Sequence, residues 1–387
     1  MDQARNDAPL RKKLLLALAA TIALCGLTEI ALRLTRFVHY PAILPPILWN
    51  DDEDRNLNRG VGMFEKDAAQ LWVPKPGALV PYGAAQSEKI NANGYRGPLR
   101  AREKPPGVLR VVALGDSSTF GMGVPYEDTW CAQLEARLAA EGVPAEVIDA
   151  GVIGFTIDQG LERYDALVHD LRPDVVISAF GAVNEHLWCQ TLPDRPKIDA
   201  RKHPPFVATK LRELRYAVRL LHLAGWVIDR ASGQDREAMR EALRAERKRQ
   251  DAFNVTAGQP DWKGERRVGL ARFAAAHDEL AARARADEAG LVLVSMPRLP
   301  EREVVSPVLP LYNQAVADAA ARASAGFLDA RALILAALRG PPEREWSELF
   351  LDAYHPTRAG HALLAEGLVP IVKSLARARA SSPASGR

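Results

Sequence analysis

The sequence predicts an α/β domain in which a mainly parallel, five-stranded sheet lies between two layers of helices. From residue 109 onward, short apolar segments alternate with segments whose apolar residues recur every three or four positions. Such alternation is typical of parallel sheets that are covered on both faces. Polar or glycine-rich turns follow the predicted strands, which is where ligands bind in folds of this kind. The 387 residues, 48% hydrophobic and 26% charged, are those of a globular protein.

An almost unbroken apolar run, residues 14–34, precedes this domain. About 20 apolar residues suffice for a helix to cross a bilayer, and the basic residues 11–13 predict that the chain begins in the cytoplasm. We therefore expect a cytoplasmic N-terminus at 1–13 and a single-pass signal anchor at 14–34. The remaining chain would then lie in the periplasm or outside the cell, if the membrane is a bacterial inner membrane. A cleaved signal peptide and a buried soluble helix are the alternatives, and Glu29 is costly at a bilayer centre.

Residues 35–107 are rich in proline, glycine and asparagine, which predicts an extended arm or linker. The dipeptide Asn93-Gly94 is typical of a hairpin turn. We expect this arm to be laid across the next domain, with one hairpin.

The catalytic domain is predicted at 108–375. A helical insertion at 187–266 interrupts its alternation, and the tail at 376–387 has a composition typical of disorder. The predicted strands are 111–114, 147–148, 175–180, 291–294 and 326–328, and the predicted helices are 128–142, 158–169, 235–250, 268–287, 311–323 and 357–375.

The insertion is a candidate for substrate selection, because it leaves from the end of a predicted strand and is placed to form a lid. Val218, Leu221 and Trp226 within it are candidates for an acyl or lipid groove. Packing of the same side chains on the catalytic domain is the alternative interpretation.

Charge and cysteine usage exclude several classes of function. The net charge of +3 is too small to indicate nucleic-acid binding. Cys25, Cys131 and Cys189 lack the spacing of a zinc site and cannot form a disulfide framework. Whether Cys131 pairs with Cys189 stays open. The Gly-Lys-Ser/Thr signature of a phosphate-binding loop is absent, and we predict neither a metal nor a cofactor.

Four polar segments stand at predicted strand ends or just before the last helix. Ser117 lies in a turn bounded by glycines at 115 and 121, Gly154 follows the second strand, and Asn184 follows the third. Of the eight histidines, only His355 has an aspartate three residues earlier, at Asp352. That spacing allows a carboxylate to hold the imidazole in one tautomer, as catalysis by a serine nucleophile requires.

Together these segments are similar to the SGNH/GDSL hydrolase family, and the resemblance spans residues 109–375. It implies a flavodoxin-like three-layer α/β/α fold and a triad of Ser117, His355 and Asp352. It also implies an oxyanion hole built from the N–H of Ser117, the N–H of Gly154 and the amide of Asn184. The third segment departs from the family's Gly-x-Asn-Asp, because alanine stands at 182, glycine at 181 and glutamate at 185.

Residues 90–97 (Ile-Asn-Ala-Asn-Gly-Tyr-Arg-Gly) resemble a feature of membrane-anchored bacterial members, which often accompany envelope polysaccharide or lipid metabolism. We therefore expect a serine esterase acting on O-acyl groups of an envelope carbohydrate or lipid. An O-acyltransferase that passes the acyl group to a polysaccharide hydroxyl and an inactive scaffold domain of an envelope assembly complex are the alternatives. Glu185, His186 and Trp188 closely follow Asn184 and are candidate substrate-binding residues.

Overall fold

The computed structural model describes residues 7–35, 37, 63–82, 86–189, 192–202, 218–231, 245, 248–249, 251–341 and 343–381. Two compact units emerge, each formed by two stretches of the chain. The first, called here the small unit, comprises 1–49 and 203–249, and the second, the α/β unit, comprises 50–202 and 250–387.

Two antiparallel hairpins open the α/β unit. The first pairs β1 (Phe64–Asp67) with β2 (Leu71–Pro74), and the second pairs β3 (Leu79–Tyr82) with β4 (Gln86–Lys89). Where one hairpin was predicted in the arm, the described residues form two. Trp72, Ile90 and Tyr95 are buried in the same core cluster as one face of the main sheet. Burial of these large side chains makes the hairpins part of the domain core.

The main sheet contains five parallel strands in the order β6-β5-β7-β8-β9. The strands are β5 Leu109–Gly115, β6 Ala145–Asp149, β7 Val175–Ala179, β8 Gly290–Val294 and β9 Gly326–Leu328. The predicted fold class is confirmed, because this is the flavodoxin-like 2-1-3-4-5 order. In such sheets ligands bind where the strand order reverses, which here is between the carboxyl ends of β5 and β7.

Helices cover both faces of the sheet, as the alternation of side chains along β5 requires. Val112 and Leu114 belong to one core cluster, and Val111 and Ala113 belong to the other. In chain order the helices include α1 Asp7–Leu34, α2 Ser117–Phe120, α3 Trp130–Ala140, α4 Ile157–Arg163, α5 Asp194–Lys202, α6 Arg219–Ala231, α7 Leu270–Ala286, α8 Pro300–Val305, α9 Leu309–Ala323, α10 Ala330–Arg339, α11 Trp346–Leu349 and α12 Arg358–Ser381.

Some helix boundaries differ from the prediction. Helix α3 begins at Trp130 and not at 128, because the side chain of Thr129 caps it by accepting the N–H of Ala132. Helix α12 continues past Leu375 to Ser381 because the alanines and arginines there are strong helix formers. The first part of the predicted disordered tail is therefore helical, and 382–387 lie outside the described residues.

The two ends of the predicted insertion belong to the α/β unit. The N–H of Cys189 donates to the carbonyl of Glu265, and the N–H of Arg267 donates to the carbonyl of Leu187. These bonds join the ends where the insertion leaves and returns, so the separate part is shorter, at 203–249. Nearly all of the predicted helix 235–250 lies outside the described residues.

Helix α1 belongs to the small unit. Its segment Leu10–Leu34 has a mean hydropathy of 2.1 over its most apolar window and is long and apolar enough to cross a membrane. A signal sequence has the same properties.

Candidate active site

Ser117 is the first residue of the short helix α2, directly after β5. The carboxylate of Asp116 caps this helix by accepting the N–H of Ser118 at 2.8 Å. Burial raises the pKa of Asp116. A side chain at Gly115 would place its Cβ 2.1 Å from the hydroxyl of Thr119, so only glycine fits before the turn. The strand, the cap and the glycine together present Ser117 at the carboxyl edge of the sheet.

The loop between α11 and α12 brings His355 and Asp352 to this serine. The hydroxyl of Ser117 lies 2.7 Å from Nε2 of His355, and Nδ1 of His355 lies 2.7 Å from Oδ2 of Asp352. Oδ1 of Asp352 accepts the backbone N–H groups of Tyr354 at 2.8 Å and His355 at 2.9 Å. Partial burial raises the pKa of Asp352, but these hydrogen bonds outweigh it and lower the pKa to about 2. The carboxylate is therefore charged throughout the neutral range.

Neighbouring groups fix the shape of the histidine loop. The indole N–H of Trp346 donates to the carbonyl of Asp352 at 2.8 Å. The hydroxyl of Ser118 donates to the carbonyl of Tyr354, and the N–H of Leu299 donates to that of Ala353. Three parts of the chain thus hold the backbone that carries the aspartate and the histidine.

The three predicted oxyanion donors lie on loops that follow neighbouring strands. Gly154 follows β6 with a φ of 79°, a left-handed conformation that favours glycine. Within the described ranges, neither the N–H of Ser117 nor that of Gly154 has a hydrogen-bond acceptor. The amide of Asn184 donates one N–H to the carbonyl of Phe155 at 3.0 Å. Because an amide nitrogen carries two N–H groups, one remains for a ligand.

The Gly154 loop is held by side chains that the sequence did not predict at this site. The indole of Trp72 donates to the carbonyl of Ile153 at 3.1 Å, and Arg267 donates to that of Gly154 at 2.9 Å. Arg163 donates to the carbonyl of Ala150 at 2.7 Å. Arg163 gave no signal in the sequence, because helical spacing places it away from the apolar face formed by Leu161, Tyr164 and Val168. Trp72 and Arg267 gave none either, because they reach the loop from distant parts of the chain.

Arg96, in the segment 90–97, is buried next to the turn that carries Ser117. Its guanidinium donates to the carbonyls of Phe120 at 2.6 Å, Gly121 at 2.7 Å and Val124 at 2.9 Å, and it is ion-paired with Glu88. A positive charge at the carboxyl end of a helix is favourable. The segment 90–97 therefore supports α2 through Arg96.

The departure at 181–182 has a structural explanation. Ala182 has a φ of 61°, so it adopts the left-handed conformation that glycine prefers. Gly181 is needed for space, because a Cβ there would lie 2.6 Å from the Cβ of Met296. The loop that carries Asn184 therefore adopts the left-handed backbone conformation at 182 although alanine, and not glycine, stands there.

Glu185 and His186 are not placed to contact a substrate, since both side chains are buried. Glu185 accepts the N–H of Ile157 at 3.0 Å, and burial together with the nearby Asp116 carboxyl raises its pKa to about 8. His186 donates to the carbonyl of Ala182 at 2.6 Å, and burial lowers its pKa to about 4. Both residues support the loops of the site instead, because their polar atoms satisfy backbone groups there.

Trp188 is half-buried and stacks on Phe253, with 4.4 Å between ring centroids. Its role as a substrate-binding residue stays a prediction. The described part of the chain holds no group of three or more histidine, cysteine, aspartate or glutamate side chains suited to a metal ion. Cys131 and Cys189 are separate buried thiols.

Comparison with known proteins places this chain in a family. The sequence model described as the GDSL-like Lipase/Acylhydrolase family matches residues 113–363. "Esterase TesA" of Pseudomonas aeruginosa is 34% identical over 71 residues, 18% of this chain and 35% of that protein. "Arylesterase" of Vibrio mimicus is 33% identical over 73 residues, 19% of this chain and 36% of that protein. The chain thus matches about a third of the length of each curated relative.

Among solved structures, LAE5, an alpha/beta hydrolase enzyme from the metagenome of Lake Arreo in Spain, is similar over 69% of this chain and 96% of its own. The sequence identity is 17% and the TM-score is 0.43.

Proposed function

Because the chain belongs to the GDSL-like lipase/acylhydrolase family, we propose that it is a membrane-anchored serine esterase acting on O-acyl groups of an envelope carbohydrate or lipid. The observation that carries the proposal is the hydrogen-bonded chain from Ser117 through His355 to Asp352, with 2.7 Å at each step. The esterase names of the two curated relatives support the same reaction class.

The first half of the reaction forms an acyl-enzyme. The hydroxyl oxygen of Ser117 attacks the ester carbonyl while Nε2 of His355 removes its proton. Asp352 accepts the Nδ1–H of the ring, which leaves Nε2 free to act as the base. The tetrahedral intermediate collapses as the imidazolium returns the proton to the departing alkoxide, so the products are the alcohol and an acyl ester of Ser117.

The oxyanion of the intermediate is stabilised by three donors in this proposal. These are the N–H groups of Ser117 and Gly154, which lack acceptors within the described ranges, and the remaining N–H of Asn184. The loss of one such donor typically lowers the rate about 10²–10³-fold. The bonds that hold the Gly154 loop preorganise it, because its carbonyls cannot turn toward the substrate without breaking them.

The second half releases the acyl group. With water as the acceptor, His355 removes a proton from the water as it attacks the acyl carbon. The bond to Ser117 then breaks as the imidazolium returns that proton to the serine oxygen, which releases a carboxylic acid and restores Ser117 and His355. A polysaccharide hydroxyl in place of water would make the protein an O-acyltransferase, with the same residues in the same roles.

Helix α1 supplies the anchor. Its segment of 25 residues, at about 1.5 Å per residue, is longer than the roughly 30 Å hydrocarbon core of a bilayer. Arg11, Lys12 and Lys13 at its start favour a cytoplasmic N-terminus. We place the α/β unit on the opposite side of the bacterial inner membrane, in the periplasm.

The proposal is tested by hydrolysis of 4-nitrophenyl acetate by the full-length protein in detergent. Ser117→Ala and His355→Ala should each abolish activity above background. His169→Ala is the matched control, because His169 forms a similar pair with Asp287 at 2.8 Å but is exposed at the opposite edge of the sheet. Full activity of Ser117→Ala would show that the proposal is wrong. Adding an acceptor polysaccharide and measuring its acylation distinguishes transfer from hydrolysis.

A further inference from the structure

Helix α6 of the small unit has an apolar face that the proposed catalytic reaction does not use. Three of its residues are notably exposed, Leu221 by 43%, Val227 by 49% and Ile228 by 55%. Because an α-helix turns about 100° per residue, these residues and Ala224 fall within an arc of about 120°. The helix is therefore amphipathic, and among the described residues its apolar arc is exposed.

The opposite side of α6 carries the groups typical of a membrane–water boundary. Arg219, Trp226 and Arg230 lie together there by the same helical spacing. The guanidinium of Arg230 lies 5.3 Å from the centre of the Trp226 ring. Basic side chains opposite an apolar face are typical of helices that lie in the plane of a bilayer surface, and tryptophan is enriched at that depth.

Glu29 attaches this helix to α1. Its carboxylate accepts the backbone N–H of Arg219 at 2.9 Å and that of Leu220 at 2.8 Å. These N–H groups begin α6 and have no acceptor inside the helix. The side chain of Arg33 pairs with the same carboxylate at 2.8 Å. These contacts explain why an acidic residue occurs within an otherwise apolar segment.

The attachment joins two exposed apolar surfaces. Leu27 and Ile30 lie within one turn of Glu29 on α1 and are 66% and 55% exposed. Such a surface, continued along a helix of membrane-spanning length, is suited to lipid hydrocarbon. With 13 residues, α6 is about 20 Å long and too short to cross the bilayer by itself.

We propose that α6 is a second membrane-binding element, an interfacial helix whose apolar arc inserts among the lipid acyl chains on the side of the bilayer where α1 ends. The occupant of the arc is the lipid bilayer, because α1, to which α6 is fixed, is covered by the same hydrocarbon. Leu221 then faces lipid of the membrane and not a substrate acyl group. This inference rests on the membrane span proposed above, but it does not depend on esterase activity.

The test places a fluorescent NBD label on the full-length protein in vesicles of phosphatidylcholine and phosphatidylglycerol. Ile228→Cys and Arg230→Cys are made in a Cys25→Ser background, and the background alone reports any labelling of the buried Cys131 and Cys189. Doxyl-labelled lipid should quench the label at 228, whereas aqueous iodide should quench the label at 230. Equal quenching of both labels by iodide overturns the proposal.

A label on the native Cys25 tests the span separately, since that residue lies within α1 and is exposed. Quenching by doxyl lipid at Cys25 together with iodide quenching at 228 retains the span and rejects the interfacial helix. Iodide quenching at both positions rejects both. Disulfide cross-linking between two copies at 228, in place of lipid quenching, shows that a second copy covers the arc and also overturns the proposal.

Glu29→Ala tests the attachment. Loss of the carboxylate leaves the first N–H groups of α6 without their acceptor, so doxyl quenching at 228 should decrease while quenching at Cys25 is retained. Thr28→Ala is the matched control, because in the described part of the chain the Thr28 hydroxyl donates to the carbonyl of Leu24 in its own helix. Unchanged quenching at 228 in Glu29→Ala would contradict the role of this contact.

Discussion

Replacement of Asp352 by asparagine should inactivate the protein by reversing the tautomer of His355. The backbone N–H groups of Tyr354 and His355 both donate to Oδ1 of Asp352, at 2.8 and 2.9 Å. Those two bonds fix the oxygen of an asparagine amide in the Oδ1 position. The amide nitrogen must then take the position of Oδ2, 2.7 Å from Nδ1 of His355.

A donor at that position requires Nδ1 to act as an acceptor. The ring proton then resides on Nε2 and faces the hydroxyl of Ser117, so the histidine can no longer accept the serine proton. In a Ser-His-Asp triad this change costs about 10⁴-fold in kcat, which corresponds to about 5.4 kcal/mol at 1.36 kcal/mol per tenfold change.

The assay is kcat for 4-nitrophenyl acetate, with the thermal unfolding temperature as the control for folding. Asp352→Asn should unfold near the wild-type temperature, because both backbone hydrogen bonds survive. Asp352→Ala should keep more activity than Asp352→Asn, since the half-exposed position admits a water that can accept the Nδ1–H. A kcat for Asp352→Asn within tenfold of the wild type would refute the reasoning.

Three further predictions concern the loops of the site. Asn184→Ala removes one oxyanion donor and should lower kcat about 10²–10³-fold with little change in KM, and an equal change in KM would show a role in substrate binding instead. Gly154→Ala and the control Gly107→Ala, with φ of 79° and 74°, should each lose about 1–2 kcal/mol of stability, but only Gly154→Ala should lose activity. Glu185→Gln should become more stable relative to the wild type between pH 5 and pH 9 in thermal unfolding scans. Burial raises the folded-state pKa of Glu185 to about 8, so the wild type loses stability as the pH rises through that range. A pH-independent difference would contradict the burial of a protonated Glu185.

The strands and the three residues of the proposed triad could be predicted from the sequence because their signals are local. Each strand of the main sheet is a short apolar segment, and Asp352 stands three residues from His355. In a parallel sheet the carboxyl ends of the strands lie at one edge. The order of the motifs along the chain was therefore enough to predict that Ser117 lies beside Asp352 and His355.

The supporting residues could not be predicted in the same way. Trp72 reaches Ile153 and Arg267 reaches Gly154 from distant parts of the chain, and such contacts depend on packing that no local pattern records. The hairpins β1–β4 were hidden for a related reason, since their strands are four residues long and lie among proline and glycine.

Polarity was a poor guide to exposure next to the site. Glu185 and His186 closely follow Asn184, the proposed oxyanion donor, and are polar, which predicted contact with substrate. Both are buried because the loop must satisfy its own backbone groups, at Ile157 and Ala182.

The central claim, that Ser117 is the nucleophile of a working triad, is tested most directly by a fluorophosphonate reagent. The Ser117 oxygen should form a bond to phosphorus as fluoride leaves and His355 takes the proton. Mass spectrometry of the digested full-length protein should locate one adduct on Ser117, and His355→Ala should not form it. An adduct on Ser118 or elsewhere, or no adduct on the folded wild-type protein, would contradict the account.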